Sequence, residues 1–206
     1  MRPGRIVVLN GAPRSGKSTI AAAIRERPEG TWIALGVDIS VRHMTPPALL
    51  PGIGLRPGGE RPDVEARLPA LFTALYESIA AHSRLGFDVV ADLGHHDRHS
   101  RPLGILPACA RRLTGLPAFL VGVRCPIETI MERRRASATL GEPYLAGEDG
   151  DVPLPVALWQ EAVHDPGIYD LELDTARQTP AECAEAIAAL LADPPGGPTA
   201  FERLAV

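Results

Sequence analysis

The feature that most constrains this chain is the stretch RIVVLNGAPRSGKSTI, residues 5–20. An apolar, β-branched run leads into a glycine-containing turn, and a segment with helical spacing follows at once. Residues 11–18, GAPRSGKS, fit G-x-x-x-x-G-K-[ST], and the flanking run and helix supply the setting that the spacing demands. Gly11 and Gly16 allow backbone turns that aim successive N–H groups at phosphate oxygens. The N-terminal end of the following helix adds its partial positive charge. A chain with this opening is committed to a strand–loop–helix unit built around an anion seat. A glycine-rich turn that binds nothing is the bland alternative, and the flanking strand and helix argue against it.

Lys17 is the chain's only lysine, whereas its other strongly basic side chains are all arginine. The bias toward arginine is compositional, which makes the exception informative. An ammonium is a compact charge on a thin stem, and it threads between a tight loop and a phosphoryl group more readily than a planar guanidinium fork. Lys17 is therefore expected to reach the β- and γ-phosphates of ATP, with the Ser18 hydroxyl on Mg2+. Gly11, Ala12, Pro13, Arg14, Ser15, Gly16 and Thr19 complete the expected nucleotide-binding set. Arg14 either covers the nucleotide or points outward.

The rest of the chain alternates short apolar runs with helical patterns. Further strands are expected at 31–38, 87–94, 117–125 and 168–175. Helices are expected at 63–86, 102–113, 126–140, 156–164 and 179–192, the last of them capped. This alternation calls for an α/β fold with a parallel sheet covered on both faces. One domain over 1–192 is expected, with 193–206 as a flexible tail. Residues 45–62 are rich in Pro and Gly without periodicity, which marks a functional or mobile loop on the substrate side.

Composition removes several function classes. With a net charge of −4 and a pI near 5.9, a general nucleic-acid-binding surface is not expected. The apolar run at the N-terminus is too short for a signal or a membrane span. Cys109, Cys125 and Cys183 are odd in number and far apart, which suits a reduced cytoplasm. A soluble cytoplasmic protein without a membrane partner is expected, and a homo-oligomer is compatible with the sequence. A guanine-specific switch is disfavoured, because N-K-x-D requires a second lysine.

In an open parallel sheet, ligands gather at the carboxyl ends of the strands. Asp38 closes TWIALGVD and Asp92 closes FDVVAD. Phosphorylating an alcohol needs one carboxylate to take the hydroxyl proton and another on the metal side. Asp38 is assigned the base role and Asp92 the Mg2+ role; a helix cap is the competing reading for either. MERRRAS places Arg133, Arg134 and Arg135 before the polar loop at 141–152. A lid over about 133–152 would let such arginines clamp phosphates, with Arg133 catalytic and Arg135 on the nucleotide. At most two of the three can face inward, and a solvated helix end is the alternative. HHDRH, residues 95–99, invites a metal reading through His95, His96, Asp97 and His99, but no second cluster completes a ligand set. His95 and His96, like Arg42 and His43 beyond Asp38, are therefore expected to line the substrate.

RIVVLNGAPRSGKS, WIALGVD, FLVGVRC and the closing HDPGIYDLELDT with TPAECAEAIAALL resemble the chloramphenicol phosphotransferase-like family of small P-loop kinases. The resemblance spans most of residues 5–192. It implies a three-layer P-loop kinase fold with a five-stranded parallel sheet in the order 2-3-1-4-5 and a lid. It also implies ATP and Mg2+ as cofactors and a small hydroxylated acceptor, most naturally an antibiotic. By the same resemblance Lys17 and Ser18 bind phosphate and metal, Asp38 is the general base, and Arg133 lies among the lid arginines. The chain departs from the family at ADLG, which keeps only Asp92, and at HHDRH. A metabolic kinase for a sugar acid or nucleoside is the nearest competitor, and a regulatory ATPase with no acceptor is the more distant one.

Overall fold

The structure is a computed structural model and describes residues 2–138 and 150–206. The strands are β1 (Ile6–Asn10), β2 (Trp32–Gly36), β3 (Asp88–Leu93), β4 (Ala118–Arg124) and β5 (Leu171–Asp174). The helices are α1 (Lys17–Arg25), α2 (Val37–Ile39), α3 (Pro62–Glu65), α4 (Leu68–Arg84), α5 (Ile105–Arg112), α6 (Ile127–Ala138), α7 (Leu154–Ala162), α8 (Pro180–Ala192) and α9 (Ala200–Leu204). All strand pairs are parallel and the sheet order is β2-β3-β1-β4-β5, as the sequence implied.

β1 is central and buried along its whole length. Its side chains alternate between the two faces. Ile6 and Val8 pack with Phe72, Tyr76, Leu120 and Phe201 beneath α4, α5 and α9. Val7 and Leu9 pack with Ile20, Ile24, Val121 and Ile187 beneath α1 and α8. Cover on both faces explains why the strand reads as a continuous apolar run. A third cluster joins Ala12 to Cys125, Met131, Val156 and Trp159, so the floor of the loop rests on α6 and α7. Among the described residues, no helix is long and apolar enough to cross a membrane.

Several boundaries differ from the sequence reading, each for a physical reason. The helix expected over 63–86 is two helices, because Pro69 lies in the first turn of α4, where a missing N–H costs nothing. β2 ends at Gly36, so Asp38 lies in α2 rather than at the strand's last position. A π-helical turn, Ser40–Met44, continues from it. Residues 45–62 contain two short 3-10 turns and are anchored, with Ile53 and Leu55 buried against α4.

The tail expected to be flexible instead ends in α9. Thr199 and Glu202 form a capping box there, and Phe201 is 2% exposed. The Ala200 N–H donates to Asp170 at 2.7 Å. Prolines and glycines between 194 and 198 made the whole segment look loose; the helix beyond them was too short for its period to register.

Candidate active site

The loop 11–18 lies between β1 and α1. A Cβ at Gly11 would come within 2.5 Å of the Val123 carbonyl oxygen and 2.8 Å of Ser15 Oγ, so only glycine lets the loop cross β4 here. Gly16 has φ 101°, a left-handed conformation that glycine adopts without a side-chain clash. Arg14 is also left-handed, at φ 70°, and its side chain is exposed.

Lys17 is buried, with Nζ donating to the Ala12 carbonyl at 3.0 Å. The same nitrogen lies 3.5 Å from Asp92 Oδ1. Ser18 Oγ donates to the other oxygen of Asp92 at 2.5 Å. Asp92 thus holds both functional side chains of the loop, as its place at the end of β3 next to β1 allows. Thr19 does not face this cluster; its hydroxyl donates to the Gly16 carbonyl at 2.7 Å.

Gly36 is the register partner of Asp92, and a Cβ there would clash with the Asp92 carbonyl at 2.5 Å. That close approach carries β2 past β3 and delivers Asp38 two residues beyond Asp92's partner. Asp38 is exposed and makes no hydrogen bond or ion pair among the described residues. Arg42 and His43 are exposed on the π-helical turn that follows.

The arginines divide differently from the sequence expectation. Arg133 Nη1 donates to the Arg14 carbonyl and to Thr175 Oγ1, each at 3.1 Å, and Nη2 donates to the Thr175 carbonyl at 2.8 Å. Thr175 Oγ1 in turn donates to the Ser15 carbonyl at 2.6 Å. Arg133 therefore clamps the loop to the end of β5 and is not a projecting lid residue here. Arg134 is the buried one of the three, 2% exposed. Arg135 is half-buried, and its Nε has no hydrogen-bond partner among the described residues. Of the expected lid, residues 139–149 lie outside the described residues.

HHDRH also resolves into distinct roles. His95 is in the core, not against a substrate: its Nε2 pairs with the Tyr76 hydroxyl at 2.8 Å, and burial pushes its pKa down to about 3. Its backbone N–H donates to Asn10 Oδ1 at 2.7 Å. His96 Nε2 lies 2.9 Å from the Leu55 carbonyl, and burial pushes its pKa down to about 4. Asp97 accepts from the N–H groups of Leu103 and Gly104, which lead into α5. Among the described residues, no group of His, Cys, Asp and Glu has the arrangement of a metal-ligand cluster.

Sequence reasoning missed Asn10 and Thr175. Asn10 Nδ2 donates to the Val163 carbonyl at 2.7 Å and to the Tyr169 hydroxyl at 3.0 Å, tying the loop's entry to the segment after α7. Thr175 was findable, since it follows a strand's carboxyl end as the aspartates do.

Residues 4–192 match the family described as chloramphenicol phosphotransferase-like protein. The chain belongs to this family. No curated protein matches the sequence. Among solved structures, the chain is similar to the APS kinase CysC of Mycobacterium tuberculosis in complex with AMPPNP and APS, at 16% identity and a TM-score of 0.61, covering 94% of this chain and 100% of that one. It is similar to a sugar kinase from Janibacter sp. at 21% identity and a TM-score of 0.60, covering 94% and 97%. It is also similar to the shikimate kinase of Acinetobacter baumannii in complex with shikimate, at 15% identity and a TM-score of 0.59, covering 96% and 97%. At these identities the likeness establishes the P-loop kinase fold. With the family, the activity follows: an ATP-dependent phosphotransferase whose acceptor is a small molecule.

Proposed function

We propose that the enzyme transfers the γ-phosphoryl group of ATP to a hydroxyl of a small antibiotic, chloramphenicol-like or another hydroxylated natural product such as a nucleoside antibiotic, and so confers resistance. The observation that carries the chemistry is the pairing of Asp92 with Ser18 and Lys17, while Asp38 makes no hydrogen bond or ion pair among the described residues. One carboxylate is committed to the loop and the other is free for the acceptor. That division is what transfer to an alcohol requires.

The residues present fit Mg2+. Ser18 Oγ and Asp92 Oδ2 are hard oxygen donors 2.5 Å apart, and this ion takes one or two protein oxygens and otherwise keeps water and phosphate. Ser18 and Asp92 would hold it, and when bound it offsets charge on the phosphates. The loop N–H groups and Lys17 orient the phosphates. Lys17 then trades its Ala12 and Asp92 contacts for phosphate oxygens. Asp38 orients the acceptor hydroxyl and takes its proton as the oxygen attacks the γ-phosphorus and the bond to the β–γ bridging oxygen breaks, releasing ADP. Arg133, through the Arg14 carbonyl and Thr175, keeps the loop in its receiving shape.

The antibiotic class is supported by the family, whose name specifies chloramphenicol. The test is mass spectrometry of a panel of hydroxylated antibiotics incubated with the protein, ATP and Mg2+. A gain of about 80 daltons, one phosphoryl group, is expected on at least one member. ATP hydrolysis that no alcohol diverts into product would overturn the reading, and preferential turnover of a sugar acid would overturn the antibiotic class.

A further inference from the structure

Asn10 is the last residue of β1 and directly precedes Gly11, so its side chain sits where the loop 11–18 begins. It is 2% exposed. In the parallel ladder between β1 and β3, the Val89 N–H donates to the Arg5 carbonyl at 2.8 Å, and alternate residues of β3 donate in turn from there. The last register pair is Asn10 with Leu93, which makes His95 the next donor. By then β1 has turned into the loop at Gly11, and the His95 N–H donates to Asn10 Oδ1 at 2.7 Å. A side chain thus carries the ladder one bond beyond the strand.

The other end of the amide faces the opposite way. Nδ2 donates to the Val163 carbonyl at 2.7 Å and to the Tyr169 hydroxyl at 3.0 Å. With an N–H on one side and a carbonyl on the other, an amide in this orientation satisfies both. Aspartate lacks the donor, and leucine has neither group. The tyrosine that meets Asn10 has its place made for it. A Cβ on Gly122 would come within 2.8 Å of the Tyr169 ring, and Gly122 is the register partner of Asn10 on β4. Gly122 does not have a left-handed backbone, so glycine serves the approach of the ring and not a turn. The Tyr169 hydroxyl also meets His164 Nδ1 at 2.8 Å. A polar chain of His95, Asn10, Tyr169 and His164 therefore crosses the carboxyl edge of the sheet, from the end of β3 to the segment before β5.

We propose that Asn10 is a positioning residue for the nucleotide and that Tyr169 acts through it. The middle of the loop is already clamped, since Arg133 and Thr175 hold the Arg14 and Ser15 carbonyls. Asn10 supplies the matching constraint at the entry, where the residue next to Gly11 is fixed toward β3 and toward β5 at once. The N–H groups of the loop then face the phosphates without having to be ordered when they arrive, which removes a cost that binding otherwise carries. The closing stretch HDPGIYD is connected to the nucleotide in the same way, through the Tyr169 hydroxyl.

The test measures ADP binding to the full chain by titration calorimetry with Mg2+, and stability in parallel by denaturant titration. Asn10→Leu keeps the size and removes all three bonds, whereas Tyr169→Phe removes the hydroxyl alone. Asn10→Leu is expected to weaken ADP binding about tenfold, and Tyr169→Phe about threefold in the same direction. Joined in one chain they should do no more than Asn10→Leu alone, because the hydroxyl acts through the amide. Phe201→Ala, which weakens the core away from the loop, should leave ADP affinity within about twofold. Where leucine prevents folding, Asn10→Ser, smaller and without the amide, takes its place with the same expectation.

ADP affinity within about twofold of the wild type in a folded Asn10 variant would overturn this inference. So would a loss in Phe201→Ala as large as in Asn10→Leu, which would trace the effect to stability alone. Effects of Asn10→Leu and Tyr169→Phe that multiply in the double variant would overturn the relay through Tyr169. No acceptor enters the measurement, so a failure of the proposed transfer to an antibiotic leaves each of these outcomes unchanged.

Discussion

At the residue scale, the site depends on what each charge is already holding. Lys17 spans from the Ala12 carbonyl to Asp92 inside a buried loop, a gap suited to a single ammonium. A guanidinium in that place has to displace the Ala12 carbonyl or swing outward. Lys17→Arg is therefore expected to lower kcat by roughly 100-fold or more, the loss typical of removing one positioned donor. Steady-state assays at saturating ATP and acceptor would measure it, and a fully active variant would detach Lys17 from the phosphates. Asp38 is the opposite case, a carboxylate with nothing to hold among the described residues. Asp38→Asn preserves its shape and removes its basicity, so kcat should fall by about 10²- to 10⁴-fold with little change in the KM for ATP. Normal turnover would move the base role to another group.

At the element scale, the donor side was legible in the sequence because it is local. A strand, eight loop residues and a helix are consecutive, and motif spacing encodes them directly. Asp92 was legible for a related reason, since strand ends can be read from hydrophobic runs. The roles within HHDRH were not, because His95 meets Tyr76 of α4 and His96 meets the Leu55 carbonyl, and nothing in the segment says which histidine turns where. Likewise, three consecutive arginines on α6 give no hint that Arg133 meets Thr175 across 42 positions. That clamp joins α6, the loop and β5, so Arg133→Lys, which keeps the charge but loses the fork, should raise the KM for ATP about tenfold with a smaller change in kcat. An unchanged KM for ATP would show that the loop holds its shape without it. α9 makes a second prediction at this scale. Phe201 fills the core beneath α5, so Phe201→Ala should cost about 3–5 kcal/mol by denaturant titration. A flexible tail would give almost no change.

At the scale of the whole molecule, the core that covers β1 also carries buried imidazoles. Burial pushes His95 from 6.5 to about 3 and His96 from 6.5 to about 4, and it pushes His164, paired with Tyr169, down to about 4. In the unfolded chain these rings take up protons near pH 6.5, whereas in the folded protein they stay neutral until far lower pH. Between about pH 6.5 and 4 the unfolded state therefore binds more protons, and folding stability falls as pH falls. At about 1.4 kcal/mol per pKa unit, His95 and His96 together remove on the order of 6 kcal/mol by pH 4, and His164 acts in the same direction. That is comparable to the roughly 5–15 kcal/mol by which domains are stable. The melting temperature should be nearly flat above pH 7, decline below about 6.5, and reach cooperative acid unfolding at about pH 4–5. Near-UV circular dichroism against temperature at successive pH values would follow this loss. His95→Gln, which has no titrating ring to bury, should remove about a third of the decline, the share of one of the three rings. A melting temperature unchanged from pH 7 to 4.5 would mean that water reaches these rings and that the core around β1 opens more readily than its packing implies.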